Sequence, residues 1–319
     1  YILKKNHIDV KNKKVLVLGK GGASKAIIAV LNYLQAKEII TVYYKDSPNT
    51  VTYEICQKLH NDADVIVNTT PVGMYPNIDD CPINLEHYTK CKAVVDIIYN
   101  PIKTKLILEA QKRNMIAVGG LEMLIAQAKY AVEIFLNTSI PDHRIDDIYK
   151  ELLFEKKNVV LIGMPSCGKT TIGKELSKLL QKDFVDIDAE IVSKIGMSIS
   201  DYFEKYGESN FRDIEQEVIK EFSVKNNFVI STGGGCIKRK QNMIHLSMNG
   251  VILFIQRDLS KLVVGEGRPL SSSVEILEKM YQQRLPLYTL YAQKSIENNT
   301  TIEYAVNQSK IAFLDILQK

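Results

Sequence analysis

Asn158-Val159-Val160-Leu161-Ile162-Gly163-Met164-Pro165-Ser166-Cys167-Gly168-Lys169-Thr170 is the stretch whose reading decides the fold. Its opening apolar run has the length and β-branched content of a buried parallel strand. Gly163 to Thr170 then fits G-x-x-x-x-G-K-[ST], and the spacing predicts a helix from Lys169 to about Leu180. A strand before the loop and a helix after it separate a phosphate-binding loop from a surface turn with a helix cap. Successive backbone N–H groups and the helix N-terminus would hold nucleotide phosphates. The nucleotide, ATP or GTP, would rest on Gly163, Ser166, Cys167, Gly168, Lys169, Thr170 and Thr171. Lys169 would reach the β/γ-phosphates, and Thr170 would ligate Mg²⁺.

Further motifs follow in order. Phe184-Val185-Asp186-Ile187-Asp188 reads as a strand end whose two carboxylates, one residue apart, share a face. One carboxylate suits Mg²⁺ and the other a substrate hydroxyl, with ordinary turn chemistry as the alternative. Gly207-Glu208-Ser209-Asn210-Phe211-Arg212 with Glu215 comes next, then Ser231-Thr232-Gly233-Gly234-Gly235 after the strand Phe228-Val229-Ile230. Three glycines let a ligand approach the backbone; a flexible loop is the other reading. Gly265-Glu266-Gly267-Arg268-Pro269-Leu270 and Arg284-Leu285-Pro286-Leu287-Tyr288 add arginines suited to anions. For Arg257, adenine-side contact and a plain surface role stay open.

The first half opens on the same plan. Lys14-Val15-Leu16-Val17-Leu18 leads into Gly19-Lys20-Gly21-Gly22-Ala23, then a helix to about Gln35 with Ala26, Ile27, Val30, Leu31 and Leu34 at helical spacing. This is the pattern of a dinucleotide-binding turn. Further apolar strands are predicted at 39–43, 64–67 and 93–98, and in the second half at 183–187, 228–231 and 250–255. Both halves therefore read as parallel α/β layers, and the two glycine-loop patterns resemble a Rossmann-like sheet followed by a P-loop sheet of the nucleoside-monophosphate-kinase type. The border is placed near 155, giving domains 1–155 and 156–319, with Glu155-Lys156-Lys157 as a solvated linker.

GMPSCGKTT, DID, GESNFR, STGGG, GRPL and RLPLY, in this order, resemble shikimate kinase over roughly 157–319. The resemblance implies transfer of the ATP γ-phosphoryl group to the 3-hydroxyl of shikimate, in aromatic amino-acid biosynthesis. It implies Mg²⁺ at Asp186 and Thr170, and shikimate at Asp188, Arg212, Arg284 and Gly233 to Gly235. Asp188 is the candidate base, and Arg268 a lid cation that reaches the transferring phosphate and ATP. Many loops of that family carry glycine where Ser166 stands.

In the first half, the glycine fingerprint, Asn68-Thr69-Thr70-Pro71-Val72-Gly73-Met74, Asp96-Ile97-Ile98-Tyr99-Asn100-Pro101 with Thr104, and Gly119-Gly120-Leu121-Glu122 before Gln127 resemble the nucleotide-binding half of shikimate dehydrogenase over about 1–154. That resemblance implies an NADP-type cofactor at Gly19, Gly21, Gly22, Ala23, Thr69 and Met74, with Tyr99 and Gln127 beside substrate. The family's Asn-Arg-Thr-like stretch, whose cation holds the 2′-phosphate, is Tyr44-Lys45-Asp46 here, which leaves Lys45 as a point charge for that role. Between Lys45 and Asn68 there is room for one short helix, so one strand–helix unit is expected to be trimmed. Residues 1–13 cannot form the substrate domain that precedes the fingerprint in that family. With Tyr1 in place of a methionine, the chain is expected to be a piece of a longer bifunctional enzyme, and hydride transfer is not expected from it as it stands. The alternative is a P-loop kinase of another small hydroxy acid with a non-catalytic Rossmann module.

Composition agrees with two globular domains: 319 residues, 45% hydrophobic and 24% charged, with a net charge of +4. Balanced charge in both halves argues against a nucleic-acid partner, as the missing guanine-type N-K-x-D string argues against a regulatory GTPase. Five scattered cysteines without a CxxC suggest reduced thiols in the cytoplasm rather than disulfides or zinc. The most apolar long stretch, 115–136, carries Glu122, Lys129 and Glu133 and reads as a buried helix rather than a membrane span.

Overall fold

The computed structural model describes residues 1–262 and 274–318. The chain divides into two compact units, Tyr1–Tyr149 and Lys150–Lys319.

After a short helix α1 (Ile2–Lys5), the first unit alternates strands and helices: β1 (Lys14–Leu18), α2 (Gly22–Tyr33), β2 (Glu38–Val42), α3 (Tyr53–Leu59), β3 (Val65–Asn68), β4 (Ala93–Asp96), α4 (Lys105–Lys112), β5 (Ile116–Val118) and α5 (Leu121–Leu136). The strands form one parallel sheet in the order β2-β1-β3-β4-β5. Val15, Leu16, Val17 and Leu18 are all fully buried, as expected of an inner parallel strand covered on both faces. Only α3 links β2 to β3, so the sheet has five strands. Leu18 pairs with Asn68, and Asn68 with Asp96, which lines up three strand ends at the carboxyl edge.

Helix α6 (His143–Lys156) contains the division between the units. The second unit continues with β6 (Asn158–Ile162), α7 (Lys169–Leu180), β7 (Asp183–Asp186), α8 (Ile187–Ile195), α9 (Ile199–Ser223), β8 (Phe228–Ser231), α10 (Lys240–Asn249), β9 (Gly250–Gln256), α11 (Val274–Tyr291), β10 (Lys294–Glu297) and α12 (Ile302–Leu317). Its sheet, also parallel, runs β10-β9-β6-β8-β7. The P-loop strand β6 is thus central, and Val159 to Ile162 are fully buried. In open parallel sheets the crevice beyond the carboxyl ends of the strands is where ligands bind. The loops after β6 and β8 and the junction of β7 with α8 carry the phosphate loop, Gly233 to Gly235 and the two aspartates to that edge.

Two expectations give way. Glu155-Lys156-Lys157 is solvated only in part and is not a linker outside regular structure: α6 extends through Lys156, Glu155 is exposed, and Lys157 is buried. The cause is Phe154, whose ring packs 6.0 Å from that of Phe313, while Lys182 Nζ donates to its carbonyl oxygen (2.5 Å). The stretch 115–136 splits into β5 and α5, and the end of α5 is not buried: Ile134 and Phe135 are 80% and 84% exposed. The buried apolar residues of α5 are confined to its first turns: Leu121, Ile125 and Ala126. No helix among the described residues is long and apolar enough to cross a membrane.

Candidate active site

The phosphate loop is built by backbone conformations that few side chains tolerate. Gly163 (φ +151°) lies so close to the Ile255 carbonyl that a Cβ would fall 2.5 Å from its oxygen. Gly168 (φ +98°) caps α7 in the left-handed region, where a side chain is strained. Ser166 also has a positive φ, +64°, in the left-handed region that favours glycine. Lys169 is buried and curls over the loop, donating to the carbonyl oxygens of Gly163 (3.0 Å) and Met164 (2.9 Å). The first N–H groups of α7 are left at an open helix end, a ready anion site.

Thr170 Oγ1 donates to Asp186 Oδ2 at 2.7 Å and lies 3.5 Å from Ser231 Oγ. One hydroxyl and one carboxylate beside a phosphate loop match the way Mg²⁺ is held, by one or two protein oxygens plus phosphates and water. Among the described residues there is no cluster of three or more His, Cys, Asp or Glu that could hold a metal, so a site closed by protein ligands alone is absent there.

Asp186 and Asp188 do not share a strand face as the alternation argument expects. β7 ends at Asp186, whose Oδ1 caps α8 by accepting from the N–H groups of Asp188 (3.1 Å) and Ala189 (3.4 Å). The capping preference of aspartate starts a helix where the pattern alone extends the strand. Asp188 therefore projects from the first turn of α8 toward Gly233, where an added Cβ would fall 2.5 Å from its Oδ1. The absence of a side chain at Gly233 keeps this carboxylate in place.

Gly207 (φ +82°) breaks the run of α9, and the helical turns after it align Glu208, Arg212 and Glu215 on one face. Arg212 Nη1 donates to both oxygens of Glu215 (3.0 and 2.9 Å), while Nε and Nη2 donate to Glu208 Oε1. Gly235 leaves the space that its guanidinium fills. Glu215 is fully buried, and burial pushes its carboxyl up despite the opposing pull of Arg212. Glu208 is held below its ordinary range by Lys238 and Arg212. From the other side Arg284 Nη1 (3.0 Å) and Tyr288 Oη (2.6 Å) donate to the Gly234 carbonyl oxygen. Arg212, Arg284 and Asp188 thus converge on Gly233 to Gly235. Glu215 and Tyr288, quoted in the motifs without a role, hold Arg212 and the Gly234 carbonyl oxygen. Glu215→Ala is expected to destabilise the second unit by about 3–5 kcal/mol, because it leaves a buried guanidinium without its main counter-charge. Chemical denaturation checks this, and a loss near zero contradicts it. Arg268 and its flanking Gly265 and Gly267 lie outside the described residues.

The first unit presents a second set of loops. Gly19 (φ +107°) has Thr69 against it, with room for no Cβ, while Gly21 and Gly22 face open space at the start of α2. Ala23 is exposed, as are Tyr99 (45%), Met74 and Gln127. Lys45 is exposed with its Nζ 5.3 Å from the Tyr44 ring. Lys20, which carried no role in the motif, donates to Ser47 Oγ (2.5 Å) and the Pro48 carbonyl oxygen (3.1 Å), bringing a second cation to the loop after β2. Behind the loops, buried Asp96 accepts from Asn68 Nδ2 (3.0 Å), Thr104 Oγ1 (2.6 Å) and the Ile98 N–H (3.1 Å). Asn68 Oδ1 in turn accepts from the Thr70 N–H and hydroxyl. This network ties the 68–74 loop to the 97–104 loop. Burial outweighs the three donors and pushes the Asp96 carboxyl up to about 6. The folded state then binds a proton that the unfolded chain releases near pH 4. Stability from this group is present at low pH and lost as pH rises through about 6. Asp96→Asn is expected to flatten that part of the melting-temperature profile between pH 4 and 7; an unchanged slope contradicts it.

A phosphate loop beside a carboxylate, two buried arginines and a run of three glycines has the parts of a P-loop phosphotransferase. The profile of the family described as "Shikimate kinase" matches residues 165–315. The shikimate kinase of Clostridium botulinum (strain Alaska E43 / Type E3) is 39% identical over 159 residues, which cover 49% of this chain and 96% of that protein. The chain belongs, through its second half, to the shikimate kinase family. A shikimate kinase from Acinetobacter baumannii, solved in complex with shikimate, is similar with 30% identity, covering 53% of this chain and 97% of that one, at a TM-score of 0.49. The first half is similar to a chorismate mutase/shikimate 5-dehydrogenase fusion protein from Clostridium acetobutylicum, with 34% identity and a TM-score of 0.45. That match covers 47% of this chain and 57% of the fusion protein, so the chain spans less than two thirds of it.

Proposed function

We propose that the second half, residues 156–319, transfers the γ-phosphoryl group of ATP to the 3-hydroxyl of shikimate. The observation that carries this reading is the meeting of Asp188, Arg212 and Arg284 at Gly233 to Gly235, beside the Thr170–Asp186 pair at the phosphate loop. Mg²⁺, held by Thr170 and Asp186, would neutralise phosphate charge. Arg212 and Arg284 bind the substrate carboxylate. Asp188 orients the hydroxyl and takes its proton as the oxygen attacks. Lys169 draws charge from the transferring group, and the loop N–H groups hold the rest. Arg268 supplies a further cation to the developing charge. Arg268→Ala is therefore expected to lower kcat with little change in the KM for shikimate. A mutant with normal kcat and a raised KM assigns Arg268 to ground-state binding instead.

The first half, residues 1–155, is read as the cofactor-binding half of a shikimate dehydrogenase. NADP would lie along Gly19, Gly21, Gly22, Ala23, Thr69 and Met74, its 2′-phosphate near Lys45 and Lys20, with Tyr99 and Gln127 toward substrate. A cytoplasmic setting is read from the five scattered cysteines without a CxxC. Titration with NADP and NAD tests the cofactor reading. Absence of binding to either makes this half a module that does not use cofactor.

A further inference from the structure

The carbonyl oxygens of the phosphate loop have to be turned away from the nucleotide for its N–H groups to face it. Lys169 holds those of Gly163 and Met164. That of Cys167 is held from elsewhere: Asn298, just past β10, donates its Nδ2 to it at 2.9 Å. Asn298 is 4% exposed, and its own N–H donates to the Gln256 carbonyl oxygen (2.8 Å) at the end of β9. Its neighbour Asn299 is fixed as well, exchanging bonds with Asp258 (2.9 Å each) and accepting from Lys261 Nζ (2.8 Å). The carboxamide nitrogen sits directly against the loop, since a Cβ on Gly168 would fall 2.5 Å from Nδ2.

The C=O of Cys167 and the N–H of Gly168 belong to one peptide unit. In a trans peptide they point in opposite directions. A carboxamide that pins the carbonyl on the outside of the loop therefore turns the Gly168 N–H to the inside, where phosphate would sit. Gly168, with its left-handed φ, has little barrier of its own against a flip of that plane. We propose that Asn298 is a positioning residue for nucleotide binding, which aims the Gly168 N–H at the phosphates by holding the Cys167 carbonyl away from them. The proposal rests on the kinase reading of the second half.

Asn298→Ala removes the donor. Asn298→Asp keeps the shape but sets a carboxylate oxygen against the Cys167 carbonyl. In the full chain, calorimetry with ADP–Mg²⁺ and with adenosine separates phosphate contacts from contacts to the base. Both variants are expected to bind ADP about 10-fold more weakly or worse, as for a lost hydrogen bond to a charged group. Adenosine affinity and the KM for shikimate are expected to stay within about twofold, well below a hydrogen bond's worth. The ³¹P resonance of the β-phosphate of bound ADP should also move. ADP affinity equal to wild type in Asn298→Ala overturns the proposal. So does an equal loss for ADP and adenosine, which marks a role in packing alone. If Asn298→Asp fails to fold, Asn298→Ala decides. A wild-type chain that binds no ADP overturns the kinase reading first, and this inference with it.

Discussion

Replacing Lys169 by alanine is expected to abolish phosphoryl transfer, with kcat/KM falling on the order of 10³-fold or more. Its ammonium group has two tasks that no neighbour duplicates. It donates to the Gly163 and Met164 carbonyl oxygens and so ties the start of α7 to the beginning of the loop. It is also the one cation of the loop sequence itself, at the position from which phosphoryl charge is neutralised. Lys169→Arg should not rescue, because the site is buried around a compact ammonium and a planar fork does not fit it. ADP release measured with shikimate and Mg²⁺ checks the prediction, and circular dichroism shows that the variant is folded. Turnover retained in Lys169→Ala contradicts the role of the loop.

Asp188→Asn has the second largest expected effect, a fall in kcat on the order of 10²–10⁴-fold, typical for loss of a positioned base. Affinity for ADP–Mg²⁺ should be unchanged, because Asp186 rather than Asp188 meets Thr170 and caps α8. The substitution is nearly isosteric, so the close approach of Gly233 is preserved. The two aspartates are therefore separable by experiment: Asp186→Asn should raise the Mg²⁺ requirement, and Asp188→Asn should not. If Asp188→Asn weakens nucleotide binding instead, that carboxylate belongs to the metal.

What the sequence shows and what it hides differ by range. The phosphate loop is legible because its function is local: the glycines, lysine and threonine are required within one strand–loop–helix turn, and the structure has α7 starting at Lys169 as the spacing predicts. Asp186 and Asp188 are legible as a pair, yet their geometry is not. Two tendencies compete there, strand alternation and helix capping, and the cap wins. The face formed by Glu208, Arg212 and Glu215 follows from helical period, but its charge balance depends on burial, which no pattern states. Contacts between distant segments leave no local trace. Asn298 reaches a loop 131 residues away, and Lys20 reaches Ser47 across a strand and a helix. The end of α5 misleads for the opposite reason: an apolar stretch reads as buried although Ile134 and Phe135 lie open.

The most direct test of the central claim is the rate of ADP formation from ATP and Mg²⁺ by the full chain, with shikimate, with quinate and with no acceptor. The account predicts turnover that depends on shikimate, with little above background for the other two. ADP formation that is the same with and without shikimate, or none at all while ADP still binds, contradicts it.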